Sequence, residues 1–405
     1  MSVVGEASVA RFENLARIEE SATLGMTARG AALAGAGRSI VSLSAGGPDF
    51  ATPEYIREAG VRAIRDGHTH YPPAAGLKPL RAAIAAHVEE ASGRTCAPAE
   101  VLVSAGAKQV LFEAMFTLFG PGDRVLVPAP FWVSYPAMAR LARAEPVVVD
   151  TGADVGWKIT PEALEKAARG GARGVVLNSP SNPTGAIYDA GELDSLVEVA
   201  MRHGMWIVSD EIYREIRYTD EYASLAARRG DYERIVVVDG FSKAYAMTGW
   251  RVGYAVGPLP VVEAMTTLQG HVNTNTALPC QYAALAAITD VESRGRAIGA
   301  MVGAFAARRA LLLSALASVP GIEPLPPDGA FYLWIDARAW CEALGGDSAE
   351  LCLDLLEHEG LALVPGSAFG VEGHLRLSFA AAEPVLEDAV GRLAAAAGRL
   401  LGGAG

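Results

Sequence analysis

Short apolar runs rich in β-branched residues alternate with helical patterns between about residues 100 and 240. Runs of this kind are typical of buried strands. Strands that alternate with helices indicate an α/β fold whose sheet is mainly parallel. The predicted strands are Val101–Val103, Arg124–Val127, Glu145–Val149, Gly174–Leu177, Trp206–Val208 and Ile235–Val238.

Between these strands, apolar residues at i, i+3 and i+4 spacing predict packed helices, for example at Lys108–Phe119 and Leu193–His203. In sheets of this kind, ligands bind beyond the carboxyl ends of the strands. We therefore expect the chemistry of the protein in the loops that follow the apolar runs.

Past residue 290 the pattern changes to two long helices, Arg294–Ala317 and Glu383–Leu401, with strand-like pieces at Ala330–Ile335 and His374–Phe379 between them. This indicates a second, smaller α+β domain, and 405 residues exceed the usual size of a single core. We predict an N-terminal arm with part of the small domain at 1–46, a large domain at 47–290 and the small C-terminal domain at 291–405.

Composition and charge narrow the function classes. A hydrophobic content of 51% with 20% charged residues is typical of a globular protein, and no uncharged apolar stretch is long enough to span a membrane. The net charge of −12 argues against nucleic acid as a partner. Charged residues interrupt the segment 1–20, unlike a signal peptide, and four scattered cysteines form no metal or disulfide pattern. We expect a cytoplasmic protein without a metal site.

Lys243 follows the last predicted strand, in the segment Ser242–Gly253 (SKAYAMTGWRVG). Taken alone, it could equally be a solvated surface lysine. Its strand-end position, small neighbours and an arginine eight residues later, Arg251, resemble the signature of class I aminotransferases. In that family the lysine holds pyridoxal 5′-phosphate (PLP) as a Schiff base.

Asp210 ends the apolar strand in the segment Met205–Tyr213 (MWIVSDEIY). An aspartate here could simply cap a helix. PLP, however, needs a carboxylate beside its pyridine nitrogen to keep the ring protonated. The turn Asn178–Gly185 (NSPSNPTG) follows another strand. The resemblance implies that Asn182 of this turn, together with Tyr213, binds the phenolic oxygen of the cofactor.

A candidate phosphate site lies at Ser104–Gln109 (SAGAKQ), where a strand ends and a helix begins. The free amide groups at a helix start bind phosphate, and small residues allow close approach. Arg251 suits the same anion. Most glycine turns bind nothing, so this segment matters only together with the others. The predicted phosphate contacts are Gly106, Ala107, Lys108, Ser242 and Arg251.

Further segments extend the resemblance over nearly the whole chain: Ser44–Phe50, Tyr71–Gly76, Pro130–Pro136 and His374–Ser378. Together they resemble the aspartate/prephenate branch of class I aminotransferases, with the aspartate-aminotransferase fold (PLP fold type I). The resemblance implies that residues 47–290 bind PLP, that Trp132 stacks on its ring and that Tyr71 reaches the phosphate of the neighbouring subunit in a homodimer. Arg376 would bind the α-carboxylate of the substrate, in a site with Gly46, Trp132 and Asn182.

The implied activity is transfer of an amino group from an amino acid to a 2-oxo acid, with Lys243 as the group that moves the proton. A PLP lyase or oxidase on the same fold is an alternative. A dinucleotide-binding oxidoreductase has less support, because Gly35–Ile40 (GAGRSI) lacks the third glycine of that motif.

Three positions depart from the family pattern. Gly240 replaces a serine that supplies a phosphate hydroxyl, for which Ser242 is a candidate substitute, and Gly47 replaces a glutamate. Glu19 and Glu20 stand where the aspartate/prephenate branch has Lys-Pro, and that lysine binds the distal carboxylate of the substrate. Reversing the charge predicts a basic, guanidinium-bearing substrate instead, bound by Glu19 with His271–Thr276 as a further specificity segment. Aspartate, aromatic or prephenate transamination is the alternative.

Overall fold

A computed structural model describes residues 15–18 and 20–402 of the chain. The described helices are α1 (Ala22–Gly35), α2 (Glu54–Arg65), α3 (Lys78–Ser92), α4 (Ala107–Leu118), α5 (Ser134–Leu141), α6 (Pro161–Ala168), α7 (Ala190–His203), α8 (Leu259–Val272), α9 (Leu278–Thr289), α10 (Val291–Leu316), α11 (Arg338–Leu344), α12 (Ser348–Asp354) and α13 (Glu383–Leu401). The described strands are β1 (Val41–Ser42), β2 (Val101–Ser104), β3 (Arg124–Ala129), β4 (Glu145–Asp150), β5 (Ala172–Asn178), β6 (Trp206–Asp210), β7 (Ile235–Gly240), β8 (Gly253–Val256), β9 (Glu323–Leu325), β10 (Tyr332–Asp336), β11 (Leu361–Ala362), β12 (Val364–Pro365) and β13 (His374–Ser378).

A seven-stranded sheet in the order β2-β8-β7-β6-β5-β3-β4 forms the centre of the fold. All its pairings are parallel except those of β8, which is antiparallel to both β2 and β7. Helices cover both faces, so the central strands β6 and β7 are almost entirely buried. The predicted α/β class and mainly parallel sheet are confirmed, and the six predicted strands are all present.

A second sheet, in the order β12-β13-β10-β9, is antiparallel and packs with the C-terminal helices. It contains both strand-like pieces predicted beyond residue 290. A short parallel pair joins Val41–Ser42 to Leu361–Ala362, so the chain before residue 46 is attached to the C-terminal part. This pairing agrees with the predicted arm, although the boundaries at 46 and 290 stay predictions.

Helix α10 is long and apolar enough to cross a membrane by length and composition alone, with a mean hydropathy of 1.4. Its Met301, Phe305 and Leu312 are nevertheless buried in the protein core. Its Arg308 forms a bidentate ion pair with Asp49, at 2.8 and 2.9 Å. The helix therefore packs within the fold, where it contacts α9, β9 and α13.

Candidate active site

A cavity of about 240 Å³ opens at the carboxyl ends of the parallel strands, as expected for this architecture. The ends of β5 and β6 and the loop after β7 supply one wall, and β10 and β13 of the second sheet supply another. Six predicted residues from distant parts of the sequence line it together: Trp132, Asn182, Asp210, Tyr213, Lys243 and Arg376.

Asp210 is the last residue of β6 and is 3% exposed. Its Oδ2 accepts a hydrogen bond of 2.7 Å from the Tyr135 hydroxyl, and its Oδ1 accepts one of 3.2 Å from the Ile212 amide. Burial raises the pKa of Asp210 to about 6, while these hydrogen bonds and the charge of Lys243 oppose the rise. A cationic ring nitrogen would give this buried carboxylate the partner that it lacks.

Lys243 lies in the loop after β7, and its Nζ donates to the carbonyl oxygen of Gly46. The nitrogen is 5.8 Å from the centre of the Tyr213 ring. Burial, followed by the charge of Arg376, lowers the pKa of Lys243 to about 8, and Asp210 acts in the opposite direction. A lowered pKa favours the uncharged amine of lysine, which can form imines and accept protons near neutral pH.

Arg376 in β13 is 1% exposed and points into the same cavity. Its Nη1 donates to Asn182 Oδ1 at 3.0 Å, and its Nη2 donates to the Ser44 carbonyl at 2.6 Å. The buried Nε has no partner among the described residues. A buried guanidinium without a carboxylate partner is costly, so the site favours an anionic ligand here.

The start of α4 forms a tight cup beside Arg251. The first amides of a helix have no intrahelical acceptor, and Gly106 caps this one at φ +90°. A Cβ at Gly106 would lie 2.4 Å from Arg251 Nη2, and a Cβ at Gly253 would lie 2.3 Å from the Ala107 nitrogen. Glycine is therefore required at both positions, which leaves amide donors and a guanidinium facing one small space.

Trp132 lines the cavity beside Lys108, the second residue of α4. Its ring packs edge-on against Tyr135, with ring centres 5.4 Å apart, and the Nζ of Lys108 is 4.9 Å from the Trp132 ring centre. Burial, and then the charge of Arg251, lower the pKa of Lys108. The cavity therefore combines a flat aromatic wall, an amide-rich cup and four cations, of which Arg376 is buried.

Comparison with known proteins identifies this arrangement. The sequence model of aminotransferase class I and II matches residues 38–393. The chain belongs to this aminotransferase family. An aspartate/prephenate aminotransferase of Cereibacter sphaeroides is 40% identical over 95% of the chain and 97% of its own length. An aspartate aminotransferase of Geobacillus stearothermophilus is also 40% identical, over 94% and 97%. A solved aspartate aminotransferase of Thermus thermophilus with maleate has a TM-score of 0.90 at 38% identity, covering 95% and 99% of the two chains.

The enzyme is a PLP-dependent aminotransferase with the aspartate-aminotransferase fold, as the sequence predicted. Its cavity suits this cofactor on structural grounds. The cup at α4 has no room for a Cβ, Asp210 is a buried carboxylate at the cavity wall, and the Arg376 Nε lacks a partner among the described residues. PLP and an amino acid together offer a phosphate, a pyridine nitrogen and a carboxylate to these three groups.

Most of the predicted site residues lie around the cavity. Gly46, Ala107, Lys108, Ser242 and Arg251 line it together with the six residues named first, and Gly106 lies directly behind the cup. Two predicted residues and the predicted specificity segment His271–Thr276 do not join them, since no residue of that segment lines the cavity. Tyr71 is 87% exposed and does not line the cavity of its own chain, and Glu19 lies outside the described residues.

Two departures from the family pattern have different structural consequences. A Cβ at Gly240 would lie 2.8 Å from Gly253 Cα and 3.1 Å from the Val252 carbonyl, so β7 and β8 leave no room for a serine. Ser242 is buried and lines the cavity, which agrees with the expected substitution of one hydroxyl for the other. A Cβ at Gly47 would make only ordinary contact with Thr248, and nothing in the structure explains this glycine.

Sequence analysis overlooked several residues of the cavity. Tyr135 lies within the segment Pro130–Pro136, three residues after Trp132, but its hydrogen bond to Asp210 joins residues 75 positions apart in the sequence. Tyr332 begins a strand that was predicted, yet its position in the sequence gives no sign that it faces the cavity. Asn178, Ser21 and Thr23 line the cavity as well.

Proposed function

We propose that this aminotransferase moves the amino group of an L-amino acid with a carboxylate side chain to a 2-oxo acid, in two half-reactions of a ping-pong sequence. The charge of the cavity is the observation that supports the acidic substrate. Among the described residues, four cations and a single carboxylate line it: Lys108, Lys243, Arg251, Arg376 and Asp210. A guanidinium-bearing substrate would meet an excess of like charge.

The names of the relatives also favour a substrate with a carboxylate side chain, because these relatives are aspartate and aspartate/prephenate aminotransferases. The basic substrate expected from Glu19 and Glu20 therefore has weaker support. Glu20 is exposed and is not among the residues that line the cavity. Glu20 therefore agrees better with a solvated position than with a guanidinium site.

Lys108 is the cation that we assign to the side chain of the substrate. Lys243 is assigned to the cofactor bond, Arg251 to the phosphate and Arg376 to the α-carboxylate. Lys108 was predicted beside the phosphate, and its Nζ lies over the Trp132 ring, 4.9 Å from the ring centre. A distal carboxylate beside Lys108 would offset the burial that lowers its pKa.

When it is bound, PLP withdraws electrons from the substrate carbon that loses its proton. In this assignment Lys243 would take that proton and return it to the bound cofactor, because it lines the cavity and burial lowers its pKa to about 8. Asp210 would hold the ring nitrogen in its protonated form, and Asn182 and Tyr213 would bind the ring oxygen. Arg376 fixes the orientation of the amino acid and so selects the bond that breaks.

We further propose a homodimer in which Tyr71 completes the site of the neighbouring subunit. Tyr71 is 87% exposed, and so large an exposed aromatic side chain is often found where another protein surface binds. The loop that carries it is anchored by Gln269 of α8, whose Nε2 donates to the Ala74 carbonyl. Val272, at the end of the same helix, is 53% exposed. A cytoplasmic location stays a prediction.

The test is a comparison of half-reactions with aspartate, arginine and phenylalanine as donors. Conversion of the bound cofactor to its pyridoxamine form is followed by absorbance, and the 2-oxo acid is quantified. We expect aspartate to be the fastest donor. Lys108→Met should slow the aspartate reaction about 10- to 100-fold, the loss of one charge-assisted contact, with little effect on phenylalanine.

Lys78→Met is the matched control, because Lys78 is an exposed lysine at the start of α3. It should leave all three rates unchanged. If arginine is the fastest donor of the wild-type enzyme, the acidic substrate is wrong. If no donor yields the pyridoxamine form with one equivalent of 2-oxo acid, a lyase or oxidase activity on this fold takes the place of transamination.

A further inference from the structure

Tyr332 places a second tyrosine hydroxyl against the predicted cofactor contact Tyr213. The two hydroxyl oxygens are 2.8 Å apart and the rings meet edge-on, with centres separated by 5.8 Å. Tyr213 is 4% exposed and Tyr332 is fully buried. Among the described residues, each hydroxyl has the other as its hydrogen-bond partner, so this pair forms one isolated contact at the cavity wall.

One hydroxyl of such a pair donates and the other accepts, because each carries a single proton. If Tyr332 donates, the proton of Tyr213 remains free to point into the cavity. If Tyr213 donates, its proton is used within the wall and its oxygen faces the cavity as an acceptor. Burial raises the pKa of both hydroxyls, so both remain protonated and able to donate at neutral pH.

We propose that Tyr332 is a positioning residue that donates its hydroxyl proton to Tyr213 and so directs the single proton of Tyr213 toward the ring oxygen of bound PLP. The proposal rests on the function proposed above, in which Tyr213 contacts that oxygen. Hydrogen bonds in a chain polarise one another, so the donation also strengthens Tyr213 as a donor.

The surroundings hold the Tyr332 ring in place for this role. The Arg376 guanidinium lies over one face, 4.5 Å from the ring centre, and Phe331 packs beside it with a centre distance of 4.8 Å. A Cβ at Gly46 would lie 2.9 Å from the Tyr332 hydroxyl, so this hydroxyl also closely approaches the backbone that binds Lys243. A purely packing role would need the ring but not its hydroxyl.

The decisive variants are therefore Tyr332→Phe, Tyr213→Phe and the double substitution. The readout is the pH midpoint at which the absorption of bound PLP changes, measured beside half-reaction rates. When the hydrogen bond from Tyr213 is weaker, the ring oxygen of PLP is more basic. The proton that this oxygen shares with the Lys243 nitrogen is then lost only at higher pH. We expect Tyr332→Phe to raise the midpoint by about 0.5 to 1 pH unit, the size of one neutral hydrogen bond.

Tyr213→Phe should raise the midpoint further, and adding Tyr332→Phe to it should have no additional effect. Tyr218→Phe is the matched control, because the Tyr218 hydroxyl donates to the Ala330 carbonyl at 2.6 Å without lining the cavity. It should leave the midpoint unchanged. The other ionisable groups around the pair stay constant in every variant: Lys108, Tyr135, Asp210, Lys243, Arg251 and Arg376.

The outcomes separate this inference from the proposed function. A midpoint that shifts in Tyr213→Phe but not in Tyr332→Phe overturns the role of Tyr332 and leaves the function intact. A midpoint that shifts in neither variant overturns the assignment of Tyr213 itself. If the midpoint shift of the double variant equals the sum of the two single-variant shifts, the two hydroxyls act independently. Should Tyr332→Phe fail to retain PLP, Tyr332→Met supplies the same comparison with a more adaptable side chain.

Discussion

Asp210 and Lys243 show how burial prepares single residues for this chemistry. Burial moves the pKa of the carboxylate up to about 6 and that of the amine down to about 8, so each charged form is held less firmly than in water. The two groups partly offset this by attracting one another. A cationic ring nitrogen beside Asp210 and a carbonyl carbon beside Lys243 are partners that each group otherwise lacks.

Glu113 in α4 is a buried carboxyl group without an assigned part in the reaction. It is fully buried, and its Oε1 accepts hydrogen bonds from Ser104 at 3.0 Å and from Gln109 at 3.1 Å. Its Oε2 has no partner among the described residues. Burial raises the pKa of Glu113 to about 7 from an ordinary value of 4.5, and the two hydrogen bonds only partly oppose this.

Glu113→Gln should therefore alter the pH dependence of stability. Between pH 4.5 and 7 the unfolded chain releases the Glu113 proton while the folded chain retains it, so the free energy of unfolding falls as pH rises. Glutamine removes this loss. In urea unfolding we expect the variant to gain up to about 3 kcal/mol relative to wild type between pH 5 and pH 8.

Glu90→Gln, which changes an exposed glutamate of α3, is the control and should leave the pH dependence as it is in wild type. Parallel stability curves for Glu113→Gln and wild type would contradict the raised pKa of Glu113.

At the scale of elements, β7 and β8 determine the geometry of the cofactor loop. Gly240 ends β7 opposite Gly253 at the start of β8, and the two backbones approach too closely for a side chain. Gly240→Ser should therefore not add a phosphate contact. We expect it to destabilise the fold by about 1 to 3 kcal/mol and to weaken retention of PLP, as overpacking does elsewhere.

Gly249→Ser provides the comparison in the same loop, since a Cβ at Gly249 meets nothing within 4 Å. Its unfolding midpoint and PLP retention should match those of wild type. Tighter PLP binding by Gly240→Ser than by wild type would show that the loop can move to accept the hydroxyl.

The elements that sequence analysis predicted share one physical property. Strands β5, β6 and β7 are buried on both faces, so they appear in the sequence as unbroken apolar runs, and their polar end residues stand out. Strand β8 was overlooked because its four residues begin at Gly253, the last residue of the Lys243 segment. The two-residue strands β1, β11 and β12 depend on long-range pairing that leaves no local pattern.

The same limit applies to the active site. Lys243 and the start of α4 lie after strands and Asp210 ends one, so local sequence was enough to propose them. Tyr332 reaches Tyr213 only because the second sheet packs over the carboxyl ends of the first, a contact between residues 119 positions apart. Glu19 led sequence reasoning toward a basic substrate, whereas the four cations that favour an acidic one come from three separate segments.

At the scale of the whole molecule, the N-terminal segment links the cavity to both sheets. The Leu43 carbonyl accepts from the Ser378 amide at 2.9 Å, and the Ser44 carbonyl binds Arg376. A few residues later, Asp49 pairs with Arg308 of α10. Residues 43–49 therefore contact the C-terminal part on either side of Gly46, whose carbonyl accepts a hydrogen bond from Lys243.

The proposed dimer gives the last prediction, which distinguishes a tyrosine acting across subunits from one acting within its own. Lys243→Ala and Tyr71→Ala subunits are each prepared alone, where both should have little activity.

Refolded together as a mixture, the two kinds of subunit form hybrid dimers by symmetric pairing. If Tyr71 serves the neighbouring site, each hybrid contains one intact site, with Lys243 from one subunit and Tyr71 from the other, and statistical mixing restores about one quarter of wild-type activity. If Tyr71 acts within its own chain, no hybrid site is intact and the mixture stays inactive. Sedimentation of the mixture checks that dimers have formed, and a fully active monomer would contradict the dimer altogether.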